Sequence, residues 1–477
     1  RRSCGRPRGR RRLGFRWGCC ATPAACAIPA LAWRVLPAFS APAARSRAPV
    51  PAAPGFSPRA RTAWGGLAGG RRSAARASSS SAALPQAELG HEGHRRHLFC
   101  IYGALCSLVG VQAVVAQALP RLLRDCLASA DLASEALADV TSFSAALEFV
   151  FLPVMARFAD SKGRRPFLIA VPLVMLVVQC AVLLAPTVAV IVTSRLLLGL
   201  LLEAFILLVG ISCADIFRKN STMLAAYEGR TAAFYGGAFA VGMLLGGHAL
   251  ARGTGLTALR AAYGWSAALA AAAMGLVLFG ARETLPPDSR PPFALRECSP
   301  LGFFRLFRSG KLLAVLSVVL SLQTLHDGEG DIWQVYATEM RGWGTRENAI
   351  YGAAVGGAST LGGLITGFSV RWLGTWMHTV AWSISTAISN LLFMSRSSAL
   401  AFVSVFFSAA EDCMSAGVIG RMMHVGSDLG VGRGQLACDI HNMEAAVRVF
   451  GLLAFGKLFA VGMRAGIPQL PYIACAI

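Results

Sequence analysis

Charge is what this sequence has least of. Asp, Glu, Lys and Arg make up 14% of its 477 residues, well below the roughly 25% typical of soluble domains. A soluble fold is thereby disfavoured. Thirteen cysteines are present, but they are scattered and no Cys-x-x-Cys pair occurs, so a disulfide framework or a zinc knuckle has no support. They read as small apolar fillers. His-Glu-x-x-His, Gly-x-Ser-x-Gly and phosphate-binding P-loop motifs are also missing, which leaves an enzyme without a catalytic constellation and implies no cofactor. Gly430-Val-Gly-Arg-Gly434 joins two apolar runs and follows no strand. His91, His94 and His97 share helical spacing, yet no carboxylate or thiol set completes a metal site around them.

The chain does carry 55% hydrophobic residues and a formal charge of +21. Such a charge invites a nucleic-acid partner, so its location decides its meaning. Residues 1–96 hold 18 Arg, no Lys and only two acids, Glu88 and Glu92. Most of the positive charge is a tail. Rich in Ala, Ser, Pro and Gly, that tail resists core formation and is similar to an organelle transit sequence. The stretch from Cys19 to Ala38, followed by Ala-Phe-Ser-Ala-Pro at 38–42, resembles a bipartite plastid leader. Three readings stand: a plastid or mitochondrial targeting segment, a basic nucleic-acid arm, and translated GC-rich sequence without a role. The nucleic-acid arm ranks last, because Lys and regularly interleaved aromatics are missing, and no nucleic-acid partner is expected. The chain does not begin with Met, so an incomplete N-terminus is expected.

From residue 98 onward, apolar runs of about 20 residues alternate with short loops, the length needed to cross a hydrocarbon core of about 30 Å. Only helices satisfy every backbone polar group there, in a chain without barrel alternation. The expected spans are 98–120, 140–158, 166–185, 188–215, 231–251 and 262–281, then a polar linker 282–311, then 312–338, 348–370, 375–394, 397–420 and 437–463. Lys and Arg concentrate in connections 2–3, 4–5, 6–7, 8–9 and 10–11, which sets that face as cytoplasm-like. In an organelle that side corresponds to stroma or matrix.

An internal repeat is visible. Ala156 to Gly163 closes span 2 and Gly367 to Gly374 closes span 8, an offset that maps the first six spans onto the later ones. The expected fold is an all-α membrane protein, a bundle of two pseudo-symmetric six-helix halves with 11 full helices and a truncated twelfth. Its expected parts are the tail 1–96, an N-terminal half 97–285, a linker 286–311 and a C-terminal half 312–477.

The stretch Ala156 to Arg165, ARFADSKGRR, resembles the loop 2–3 signature of the major facilitator superfamily, G-x-x-x-D-x-x-G-R-K/R. Ala156 stands at its first Gly; Asp160, Gly163, Arg164 and Arg165 match. Arg195 and Gly199 fit the span 4 pattern R-x-x-x-G, Ala-Asp-Ile closes that span at 214–216, and Glu-Thr-Leu-Pro follows span 6 at 283–286. The sequence is most similar to the tetracycline-antiporter-like branch. Span 5 departs from it: antiporters carry G-x-x-x-G-P-x-x-G, whereas this chain reads Gly242-Met-Leu-Leu-Gly246-Gly247-His248 without the Pro. The small residues still suit close helix packing. At loop 2–3, Gly163 permits a tight turn and Asp160 can pair with Arg164. Asp215, at the same depth, could complete an ionic cluster. The resemblance implies that such a cluster gates one face during alternating access.

Ionisable side chains at bilayer depth cost several kcal/mol and normally face a polar cavity. The spans contain Glu148, Glu203, Asp327, Glu329, Asp331, Glu411, Asp412 and Glu444 against Arg195 and Arg448. An acid-lined path of this kind favours a cationic or zwitterionic small molecule, with protons as a possible second partner. Glu148 lies 12 residues before Asp160, about 18 Å along a helix; it is the first candidate for proton coupling, with Glu203 second. Glu444 and Arg448 have the spacing of an intrahelical pair. Asp327, Glu329 and Asp331 interrupt span 7 together with two glycines, in the manner of a binding-site helix, or else line an outer mouth. Span 1 carries no charge, which excludes coupling through an acid there. The expectation is a secondary transporter rather than an enzyme. The alternative is a transporter-like sensor or scaffold, because Arg371 replaces the repeat's Asp.

Overall fold

The computed structural model describes residues 91–477, apart from 128, 217–220, 254, 286, 288–289, 291, 295–297, 331, 410–412, 432 and 477; side chains of 91–94, 125–127, 214–215, 221–229, 427 and 433–434 are also outside the description. The Arg-rich tail up to Gly90 therefore lies outside the described residues, and with it the targeting expectation. His91–Ile477 form one compact unit.

Among the described residues all regular structure is helical. In chain order the helices are α1 (His91–Val115), α2 (Ala118–Leu127), α3 (Ala130–Lys162), α4 (Arg165–Leu184), α5 (Val188–Ile216), α6 (Ser221–Arg252) and α7 (Gly255–Gly280). The linker carries α8 (Phe304–Arg308), followed by α9 (Lys311–His326), α10 (Ile332–Arg341), α11 (Thr345–Phe393), α12 (Ser398–Ser408), α13 (Ala416–Asp428), α14 (Arg433–Ala465) and α15 (Leu470–Ala476). Eight helices among the described residues are long and apolar enough to cross a membrane. Many large apolar side chains point outward, including Phe99, Leu184, Phe279 and Phe406. That is the surface a lipid solvent demands and water does not.

Local sequence explains the ends. α3 stops at Gly163, whose φ of 99° few other residues adopt, and α4 starts with a Pro in its first turn. Four expected spans take a different form. Span 7 is broken into α9 and α10 by a 3-10 turn, Asp327–Glu329. Here Gly328 comes so close to α14 that a Cβ would stand 2.6 Å from the Gly451 carbonyl carbon, so the turn accommodates a helix crossing. Span 10 is likewise split, into α12 and α13. Spans 8 and 9 run together as α11, bent at Gly374 with φ 74°; at 49 residues and about 1.5 Å per residue, this helix exceeds twice a bilayer core.

α6 packs along α11 and α3 along α14, joining the N-terminal helices to the C-terminal ones. Both seams rest on small residues. A Cβ on Gly236 would sit 2.6 Å from the Gly356 carbonyl oxygen, and the reverse holds at 2.6 Å. Gly247 abuts Ala349, and Gly456 abuts Ala138. Gly242 and Gly246 of α6 serve instead to press that helix on Ala113 and Val114 of α1. Opposite the loop 2–3 face, ion pairs cross the same divide: Arg124 to Glu339 at 2.8 Å, and Arg464 to Asp131 at 3.3 Å and Glu135 at 2.6 Å.

Candidate functional site

Between the two sets of helices lies a cavity of about 480 Å³. Five of the sequence-predicted residues line it together: Glu148, Arg195, Glu203, Asp327 and Glu329. Arg448 joins them. Asp331 and Glu411 lie outside the described residues.

The wall is organised around Arg448 of α14. Its Nη1 donates to Glu203 Oε1 of α5 at 3.0 Å, and its Nη2 stands 3.5 Å from Glu148 Oε2 of α3. Glu148 is 6% exposed and receives a bond from Ser144 Oγ at 3.5 Å, one turn earlier. Gly199 lies close against Ser144 and Glu148, so the R-x-x-x-G glycine makes room for this carboxylate. The expected pairing of Glu444 with Arg448 is corrected: the Glu444 carboxylate bridges to His441 Nδ1 at 3.4 Å. Two carboxylates on facing helices outcompete one on the same helix, because a guanidinium fork can bind two partners at once.

Beside Arg448, where the turn of the broken span packs on α14, lies the second polar group. Asp327 and Glu329 sit in the 3-10 turn, whose backbone turns both acids toward the cavity. His326 Nε2 lies 3.3 Å from Glu329 Oε1 and 2.8 Å from Asn390 Nδ2 of α11. Aromatic side chains fill the remaining wall, among them Tyr235, Trp333, Tyr351 and Tyr472. Sequence reasoning passed over these because aromatic residues in an apolar span read as ordinary packing. Asn390, with His378 one of the two strongly polar side chains of its span, was the available signal.

The loop 2–3 group is a separate site. Arg164 Nη2 pairs with Asp160 at 3.5 Å, and Arg164 Nη1 donates to the Ile211 carbonyl at 3.2 Å. The Asp215 side chain is outside the described residues. Among the described residues Glu283 occupies the centre: its carboxylate accepts the backbone N–H of Arg164 at 3.0 Å and of Arg165 at 3.2 Å, and pairs with Arg290 at 3.7 Å. A Cβ at Gly163 would meet Glu283 Oε2 at 2.5 Å, a second reason for glycine there. Burial pushes the Arg164 guanidinium below its ordinary pKa, and Asp160 and Glu283 oppose the shift. Arg290 also donates to the Lys162 carbonyl at 3.2 Å. Further on, the linker turns to the C-terminal helices: Asn442 donates to the Pro300 carbonyl at 2.5 Å, and Arg305 pairs with Asp439 at 3.2 Å. Phe303 meets Phe149 of α3 edge-on, with ring centroids 6.2 Å apart.

A family model, that of the Major Facilitator Superfamily, matches residues 101–432. The chain belongs to the Major Facilitator Superfamily. It is an integral multi-pass membrane transporter of that superfamily's fold. Among solved structures, the human organic anion transporter MFSD10 (TETRAN) superposes with a TM-score of 0.60 at 17% identity, over 80% of this chain and 96% of that one. A D-xylose–proton symporter gives 0.54 at 14% identity, over 80% and 94%. A bacterial homologue of the human lysosomal transporter Spinster, inward-facing and unoccupied, gives 0.55 at 14% identity, over 81% and 88%. No curated protein sequence matches the chain. At these identities the likeness is one of fold. Major Facilitator proteins with different solutes share it, so this chain's solute has to be argued from its own cavity.

Proposed function

We propose that this superfamily member is a secondary transporter that moves a small organic solute by alternating access, coupled to protons through Glu148. Two six-helix halves, 97–285 and 312–477, rock about the α3 to α14 and α6 to α11 seams. The observation that carries the reading is Arg448 of one half held by Glu148 and Glu203 of the other in the cavity wall. Two carboxylates and one guanidinium leave a formal charge of −1; a proton on one carboxylate brings the group to neutrality, which lowers its cost at bilayer depth. Glu148, with the longer contact to Arg448, is the proton-exchanging member, and Glu203 anchors the guanidinium.

Asp327 and Glu329 add negative charge to the cavity lining, which also carries aromatic rings. This supports a cationic or zwitterionic solute, held by carboxylates and by ring faces. Asp160, Gly163, Arg164 and Arg165, with Asp215, form the gate on the cytoplasm-like face, and the Arg124 to Glu339 and Arg464 pairs close the other.

The test is a panel of organic cations and zwitterions in proteoliposomes under an imposed pH gradient, with internal pH as the readout. Solute-dependent proton movement that disappears in Glu148→Gln supports coupling. Solute flux without proton movement would leave transport and remove the coupling. A protein that binds a solute and moves neither solute nor protons would be a sensor or scaffold.

A further inference from the structure

His326, Glu329 and Cys475 converge at the break between α9 and α10. One ligand atom from each lies within 4.8 Å of the other two. They come from distant parts of the chain, two from the turn and one from the short terminal helix α15, so no sequence spacing announces the set.

The separations match metal geometry. Two nitrogen or oxygen ligands about 2.0–2.1 Å from a tetrahedral zinc-class ion lie about 3.3 Å apart. His326 Nε2 and Glu329 Oε1 are 3.3 Å apart. That nitrogen also faces the Asn390 amide at 2.8 Å. One ring nitrogen accepts from an amide N–H or donates to a carboxylate, not both; a cation held by Nε2 and Oε1 takes that nitrogen's one lone pair, and the Asn390 amide has to turn its N–H away from it. Bringing a thiolate into a third position needs a contraction of about 1 Å, since a zinc-bound S and N lie about 3.5 Å apart. A rotation of the Cys475 side chain on seven-residue α15 is of that scale.

A second observation points the same way. Tyr472, one turn before Cys475, is 1% exposed and lines the cavity with Glu329. Its hydroxyl has no hydrogen-bond partner among the described residues. A buried phenol left without a partner is costly, and a metal-bound water or a fourth bond would satisfy it. An imidazole, a carboxylate and a thiol together select borderline-soft divalent ions over Mg²⁺ and Ca²⁺. We infer that His326, Glu329 and Cys475 form a site for a zinc-class divalent transition metal ion in the cavity wall, with its fourth position open toward the cavity. Occupied, the site ties α15 to the break in span 7.

The experiment uses the full chain, purified without a histidine tag and stripped with a chelator. One equivalent of Co²⁺ should give tetrahedral ligand-field absorption with a thiolate-to-cobalt charge-transfer band, and Zn²⁺ should displace it. Cys475→Ser should lose the charge-transfer band, and Glu329→Gln should weaken Zn²⁺ binding at least tenfold while the metal-free melting temperature stays that of the parent. A band that persists in Cys475→Ser, an octahedral Co²⁺ spectrum, or equal competition by Mg²⁺ would overturn the site. Should Cys475→Ser fail to fold, the parent protein still decides: Zn²⁺ must protect Cys475 from maleimide, read by mass spectrometry, and unchanged labelling counts against the site.

Discussion

Arg448 of α14 donates to Glu203 of α5 at 3.0 Å, so a single cation of the C-terminal helices is committed to carboxylates of the N-terminal ones. Glu148, at 3.5 Å from the same guanidinium, shares it. The first consequence is energetic. Removing one partner of a buried ion pair costs about 3–5 kcal/mol, because the remaining charge is stranded. Arg448→Gln should therefore lower the melting temperature of the purified protein by many degrees and abolish flux. Arg448→Lys should keep more stability but little flux, since an ammonium lacks the fork that holds two carboxylates. Unchanged flux in Arg448→Gln would remove this residue from the transport cycle.

Glu203→Gln and Glu148→Gln should separate by role. Glu203 carries the shorter bond to Arg448, so its loss should destabilise the fold more, while Glu148→Gln should spare stability and abolish solute-driven proton movement. Thermal melts alongside internal-pH recordings in proteoliposomes distinguish the two.

At the loop 2–3 face, Asp160→Asn should leave insertion intact and impair flux several-fold. Glu283→Ala should be more damaging to stability, because two backbone donors and Arg290 lose their acceptor; hydrogen bonds to a charged group contribute about 1.5–3 kcal/mol each. Comparing melting temperatures of the two variants checks the order, and Asp160→Asn melting lower than Glu283→Ala contradicts it.

Gly236→Ala should separate α6 from α11, since its Cβ would stand 2.6 Å from the Gly356 oxygen. Overpacking of this kind costs about 1–3 kcal/mol. Flux should fall sharply with folding retained, and Gly356→Ala should do the same from the facing side. Cross-linking yield between cysteines placed along the two helices reports the change in spacing.

Arg464→Ala should loosen the opposite face. Its side chain is 56% exposed, so the stability change should stay within about 1 kcal/mol. What should change is access: a cysteine probe in the cavity wall should become more reactive to a membrane-impermeant reagent added on that face.

Much of the fold was legible because the bilayer imposes a length scale on apolar runs: α4 and α5 lie close to the expected spans, while α3, α6 and α7 overlap theirs but begin earlier. The interruptions were harder. Gly374 marked the junction of spans 8 and 9, but splitting span 10 depends on what packs beside it, which periodicity does not encode. The membrane acids Glu148, Glu203, Asp327 and Glu329 were readable as outliers, and they do line one cavity. Their pairing was not. Sequence spacing favours the local partner, and Glu444 stands one turn from Arg448; only the tertiary arrangement shows two carboxylates nearer to its guanidinium. Glu283 was legible as part of a motif, while its position over the loop 2–3 amides required the fold.

The linker is anchored at both ends, by Arg290 on the Lys162 carbonyl and by Pro300 on Asn442. Ten residues of chain reach at most about 35 Å when fully extended. The connection therefore works as a strap with a finite stroke rather than as slack cord. In the proposed rocking motion that reach caps how far apart the two anchors can move, and opening past it would strip one of them. Lengthening this stretch would set how far the mouth can travel, independently of anything in the cavity.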